Sequence, residues 1–114
     1  HGSFGVFARD SGDGSLTFLE RQRNGIGGIT GMTAPASFAL SPDGAWLYVA
    51  SSGNSGATTI FTRAADGRLT YSASVAGRKQ FVVMSPDGLF VYAGGVDGVT
   101  TYSRNPATGM LTQI

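Results

Sequence analysis

The chain has 114 residues, enough for one domain with its own core. Only 13% of them are charged, about half the usual share of a globular domain, while glycine reaches 18 residues. A net charge of +1, with only Arg78-Lys79 adjacent among the basic residues, gives no case for nucleic acid or an anionic membrane. The absence of cysteine excludes disulfides and thiolate metal sites. No apolar run approaches the roughly 20 residues of a membrane span.

His1-Gly2-Ser3 reads as the remnant of an expression tag. Phe4-Gly5-Val6-Phe7-Ala8-Arg9 then alternates as a strand does, and Leu16-Thr17-Phe18-Leu19-Glu20-Arg21 resumes one. Asp13-Gly14 between them is a hairpin signal. The same pair recurs as Ile60-Phe61-Thr62-Arg63 before Leu69-Thr70-Tyr71, and as Thr101-Tyr102-Ser103-Arg104 before Leu111-Thr112. Arg9, Arg63 and Arg104 thus hold equivalent positions, as do Leu16, Leu69 and Leu111. The first spacing is the longer, and its excess falls in the Gly-rich residues 25–35.

Ser41-Pro42-Asp43-Gly44 leads into Trp46-Leu47-Tyr48-Val49-Ala50, and Ser85-Pro86-Asp87-Gly88 leads into Phe90-Val91-Tyr92-Ala93-Gly94, 44 residues later. Proline presets φ at the second place of a turn, Asp is tolerated at the third and Gly is typical at the fourth. Ala36-Ser37-Phe38-Ala39-Leu40 enters the first of these turns and Gln80-Phe81-Val82-Val83-Met84 the second. The strands that follow the turns are apolar at nearly every position, which predicts burial on both faces.

Each unit is therefore four antiparallel strands, here named inner, second, third and outer. Four strands in about 40 to 50 residues is the signature of a β-propeller blade. The fold class is all-β, a partial β-propeller of four-stranded antiparallel blades. Residues 4–114 divide into a half blade (4–22), a full blade (36–76) and another full blade (80–114). Two and a half blades cannot close a ring, so uncovered faces remain at both ends. They predict a homo-oligomer formed by stacking terminal blades or sharing strands. Two chains fall short of seven blades and three overshoot, which leaves the stoichiometry open.

The turn motifs, Phe7-Ala8-Arg9, Phe61-Thr62-Arg63, Leu16-Thr17-Phe18 and the loop from Asn24 to Met32 resemble the lactonase-like seven-bladed β-propellers, the group that includes bacterial 6-phosphogluconolactonase. The resemblance covers nearly all of the chain after Ser3. It implies a propeller and a secreted or periplasmic setting. The motifs that carry it are turn and packing residues, so they specify fold more than function.

Catalytic constellations are missing. His1 is the only histidine, which removes a Ser-His-Asp triad and a histidine metal site. Gly53-Asn54-Ser55-Gly56-Ala57 fails the nucleophile elbow at its last place. Asp10-Ser11-Gly12-Asp13-Gly14 fails the calcium-loop spacing at Gly12 and at Arg21, and a hairpin turn explains it better. Gly25 to Gly31 only approximates a phosphate loop, with Thr30 where glycine is required and no helix after it. No catalytic residue, metal site or cofactor is expected. Loops that enter inner strands line the mouth of a propeller's channel, so Arg78, Lys79 and Gln80 are the candidate ligand contacts, for an anion or a lactone. The equivalent Arg9, Arg63 and Arg104 are charged residues ending third strands, or else repeated ligand sites. Trp46, Tyr48, Phe90 and Tyr92 are blade-to-blade packing, or else an aromatic platform for carbohydrate. The expected function is a non-catalytic, self-associating scaffold or binding surface, with an inter-chain lactone hydrolase and a glycan binder as alternatives. The ligand itself is not specified.

Overall fold

A computed structural model describes residues 3–9, 12–25, 29, 32–53, 56–95 and 98–114. His1 and Gly2, Asp10 and Ser11 of the first turn, Asn54, Ser55, Val96, Asp97 and most of the 25–31 loop lie outside the described residues. The described residues form ten strands in chain order: β1 (Ser3–Arg9), β2 (Leu16–Arg23), β3 (Pro35–Leu40), β4 (Trp46–Ser51), β5 (Ala57–Arg63), β6 (Leu69–Ala76), β7 (Phe81–Met84), β8 (Phe90–Gly95), β9 (Gly98–Arg104) and β10 (Leu111–Gln113). They form three antiparallel sheets: β1-β2, β3-β4-β5-β6 and β7-β8-β9-β10.

The two Ser-Pro-Asp-Gly turns are built alike. Gly44 N donates to Ser41 O at 2.9 Å, and Ser41 Oγ donates to Asp43 Oδ1 at 2.6 Å. Asp43 Oδ1 also accepts from Ala45 N at 3.0 Å, while Ser41 Oγ accepts from Trp46 N at 3.0 Å. Ser85, Asp87, Leu89 and Phe90 repeat these side-chain bonds at 2.6, 3.0 and 3.0 Å. Gly44 and Gly88 take φ of 74° and 75°, where a Cβ would be strained. Serine and aspartate thus satisfy the backbone donors that a two-residue reversal would leave bare.

Third and outer strands share one register. Arg9 pairs with Leu16, Arg63 with Leu69 and Arg104 with Leu111. β1 carries a bulge between Val6 and Phe7, and β5 carries one at the matching place between Ile60 and Phe61. The β1-β2 pair thus repeats the register and bulge of β5-β6.

The apolar core lies between sheets. One cluster joins Tyr48, Ala50 and Ile60 of the middle sheet to Val82, Val91, Ala93 and Tyr102 of the last. A second joins Val49, Phe61 and Leu69 to Ile29 and Met32, with Phe4 and Val6 of β1 packed on it. β4 is therefore covered on both faces from Tyr48 to Ser51. β8 departs from the expectation of two-sided burial: Val91 and Ala93 are buried, but Phe90 and Tyr92 are exposed. Among the described residues no sheet packs on the outer face of β7-β10, so that face meets solvent. Phe81 and Val83 of β7 are exposed in the same alternation.

Candidate functional site

Arg78, Lys79 and Gln80 lie between β6 and β7, at the end where inner strands begin. Arg78 Nε donates to Ser52 O at 3.0 Å, just past the end of β4. Lys79 N donates to Ser51 O at 3.0 Å and Lys79 Nζ to Thr100 Oγ1 at 2.9 Å. Gln80 N donates to Gly94 O at 2.7 Å. The three are gathered beside the ends of β4 and β8, with both cationic side chains engaged by protein oxygen atoms. Arg78 remains exposed, so it retains donors for an added anion. Among the described residues, no group of three His, Cys, Asp or Glu could hold a metal ion.

Of the equivalent arginines, the side chain of Arg9 lies outside the described residues, and Arg63 and Arg104 serve a structural purpose. Arg63 Nη1 donates to Gly44 O at 3.2 Å, and Arg104 Nη1 donates to Gly88 O at 2.9 Å. Each guanidinium braces the turn of its own sheet. Arg104 does more: its Nε donates to Tyr48 Oη at 2.7 Å across the sheet boundary. Tyr48 Oη in turn donates to Gly109 O at 2.6 Å. Trp46 lies over Gly109, close enough that a Cβ there would collide with the indole. Pro42 packs likewise on Gly88. Burial pushes the Tyr48 phenol up from its ordinary value, against the opposing pull of Arg104. The sequence reads Tyr48 as a packing residue and Arg104 as a charge ending a third strand, and it does not join the two. The available signal was that both recur at fixed places in their units.

The four aromatic residues form no single platform. Tyr48 is fully buried and Trp46 is spent on Gly109, leaving Phe90 and Tyr92 at the surface.

A groove of about 490 Å³ opens between β1 and the middle sheet. Phe4, Val6 and Phe7 line one side, and Phe38, Leu40 and Arg63 the other.

The sequence pattern of the lactonase, 7-bladed beta-propeller family matches residues 1–114. The chain belongs to that family. Within this lactonase-family chain the sheets superpose on solved propellers. A putative 6-phosphogluconolactonase from Bacteroides fragilis is 24% identical with a TM-score of 0.82, over 99% of this chain and 32% of that one. A periplasmic gluconolactonase from Pseudomonas aeruginosa is 25% identical with a TM-score of 0.83, over 99% and 33%. A Lactobacillus plantarum protein is 24% identical with a TM-score of 0.84, over 99% and 34%. The lactonase-family chain thus spans about a third of the structures it matches. No curated protein matches it in sequence.

Proposed function

We propose that this lactonase-family segment is a non-catalytic scaffold that self-associates head to tail through its bare blade faces. One observation carries the reading. Tyr48 is fully buried on Arg104 of the next sheet, whereas its counterpart Tyr92 is 37% exposed, with no further sheet against it among the described residues. Phe81, Val83 and Phe90 are exposed beside Tyr92. At the opposite end Leu16 and Phe18 are exposed. Arg9 and Gly14 stand five residues apart, as Arg104 and Gly109 do, so the first sheet of a second copy offers Tyr92 the same sequence elements. Such a contact is heterologous and builds rings or filaments. The compartment favoured is the periplasm or the exterior, on the name of the Pseudomonas aeruginosa structure.

Light scattering across a concentration series tests the proposal. Mass should rise above the monomer value, and Tyr92→Asp should return it. A wild-type monomer at all concentrations would refute self-association.

A second reading is hydrolysis of a sugar lactone at a site formed between chains. It is supported by the gathering of Arg78, Lys79 and Gln80 at one edge and by the names of the similar structures. Replacing Arg78 and Lys79 by Ala separates the two readings. A hydrolase loses activity or anion binding, while a scaffold keeps its oligomer.

A further inference from the structure

We propose that Glu20 and Gln22 act as a strand surrogate: together they close the outer edge of β6 and keep it from pairing with β6 of a second copy. This goes beyond head-to-tail stacking, because it concerns the edge of the middle sheet and not the exposed faces of its neighbours.

β6 reads Leu-Thr-Tyr-Ser-Ala-Ser-Val-Ala from Leu69 to Ala76, with no charged residue and no proline. An outer strand of that composition is a template for another strand. β2, its counterpart in the first sheet, carries Glu20, Arg21 and Arg23, and charges of this kind protect an edge. β6 has none of its own.

Its protection comes from the neighbouring sheet. Ala64 N donates to Arg68 O at 2.8 Å, which makes Arg68 a hydrogen-bonded position opposite β5. In an antiparallel pair such positions alternate with positions whose N–H and C=O point away. Leu69, opposite Arg63, and Tyr71, opposite Phe61, are therefore the outward positions, with Thr70 between them bonded to β5. Both outward groups of Leu69 are taken. Glu20 Oε2 accepts from Leu69 N at 2.7 Å, and Gln22 Nε2 donates to Leu69 O at 2.9 Å. A carboxylate oxygen and an amide N–H thus supply the acceptor and the donor that one residue of an added strand would supply. Gln22 Nε2 also donates to Glu20 Oε2 at 2.9 Å, which holds the two side chains in one arrangement. The device is local to this boundary. Leu111 is the counterpart of Leu69, but the residues of β6 that correspond to Glu20 and Gln22 are Ala73 and Val75. They are apolar, pack on the core and can supply neither bond.

The occupant kept out is a second copy, because β6 fits itself. Antiparallel pairing about a twofold axis at Thr70 sets Leu69 of each chain against Tyr71 of the other, outward position against outward position. Arg68 then faces Ser72, so no like charges meet. Ser72 is the extra residue between Tyr71 and Ala73 in the register with β5, and the regular run ends there. Such a contact is isologous and closes as a dimer, unlike a head-to-tail chain.

The test uses Tyr92→Asp as background and reads mass by light scattering across a concentration series. The comparison with that background holds whether or not the exposed faces associate. Adding Glu20→Ala and Gln22→Ala should produce a discrete dimer. Glu20→Gln alone keeps an acceptor oxygen and should stay at the background mass. Adding Thr70→Lys to the open variant should return it to that mass, because Thr70 is exposed and the two lysines would meet at the axis. Thr17→Lys, at the matching exposed place of β2, should leave the dimer intact, which separates strand pairing from aggregation of loosened chains. An open variant that stays at the background mass, association indifferent to Thr70→Lys, or association reversed equally by Thr17→Lys would each overturn the proposal.

Discussion

Tyr48 and Arg104 meet across a sheet boundary, with Arg104 Nε donating to Tyr48 Oη at 2.7 Å, though 56 residues separate them in sequence. The phenol O–H donates a hydrogen bond to Gly109 O at 2.6 Å. Arg104 is 6% exposed and, among the described residues, bonds no carboxylate directly; its guanidinium donates to the phenol oxygen and to Gly88 O. A neutral hydroxyl that both accepts from a cation and donates to a carbonyl can hold the guanidinium without burying a second charge. The contact locks β4 to the end of β9 and to the β9-β10 turn.

Tyr48→Phe removes that hydroxyl and leaves Arg104 Nε and Gly109 O buried without partners. The expected cost is about 1–3 kcal/mol, because the penalty is that of stranded polar groups and not of a mean hydrogen bond. Urea unfolding at neutral pH measures it through the shift in midpoint at constant slope. The same substitution at Tyr92 should cost less than about 0.5 kcal/mol in the monomer, since surface substitutions away from such contacts fall in that range.

Gly109→Ala acts at the other end of the contact. Gly109 has φ of 74°, and the added Cβ would sit inside the Trp46 ring. The indole cannot bend away as a flexible chain end would, so the sheets must separate. A loss of about 1–3 kcal/mol is expected from overpacking alone. Trp46 is the only tryptophan, so its emission maximum should shift to the red as the indole is pushed into solvent. Gly14→Ala has φ of 78° but nothing within 4 Å of the new Cβ, and it serves as the control for backbone strain without a clash.

The parts of this fold that depend on neighbours in sequence were legible there. Each Ser-Pro-Asp-Gly turn closes on its own serine and aspartate, and the Arg–Leu register follows from a single hairpin. Contacts between sheets were not legible. Arg63 and Arg104 occupy the same place in their units, yet one is exposed and the other buried, because only Arg104 has a second strand stacked against it. Phe90 and Tyr92 read as core residues and lie at the surface for the converse reason. The groove was not legible in the sequence because its walls come from two sheets, Phe4 and Val6 from one and Phe38 and Leu40 from the other. Arg78, Lys79 and Gln80 were placed at the start of an inner strand from sequence. Their bonds to Ser51, Ser52, Gly94 and Thr100 required the neighbouring strands to be in view.

Glu20 ties the first sheet to the middle one. Its Oε2 accepts from Leu69 N at 2.7 Å and from Gln22 Nε2 at 2.9 Å, and Gln22 Nε2 also donates to Leu69 O at 2.9 Å. Glu20→Ala strands the amide of a buried residue. Because the lost contact lies at a boundary, the two-stranded sheet should loosen first. Amide hydrogen exchange in β1 and β2 should accelerate while β3 to β6 keep their protection, as local opening of one unit requires. Uniform acceleration through all three sheets would contradict a local role.

The turn carboxylates set the acid limit. Hydrogen bonds from Ser41 and Ala45, then the positive charge of Arg104, hold the Asp43 carboxyl below its ordinary value of 3.8. Bonds from Ser85 and Leu89 hold Asp87 below 3.8 in the same way. A depressed folded value means that unfolded chains bind the proton first as pH falls. The stabilisation is therefore complete above the ordinary carboxylate range and is lost as pH drops below 3.8 through the folded values. Replacing Asp43 or Asp87 by Asn should flatten the acid limb of a stability profile measured from pH 6 to pH 2, and lower the plateau above it. Asp43→Asn should lower that plateau more, because only Asp43 also draws on Arg104 across the boundary. Equal plateaus for the two variants would show that the arginine at the sheet boundary is not felt by the turn beside it.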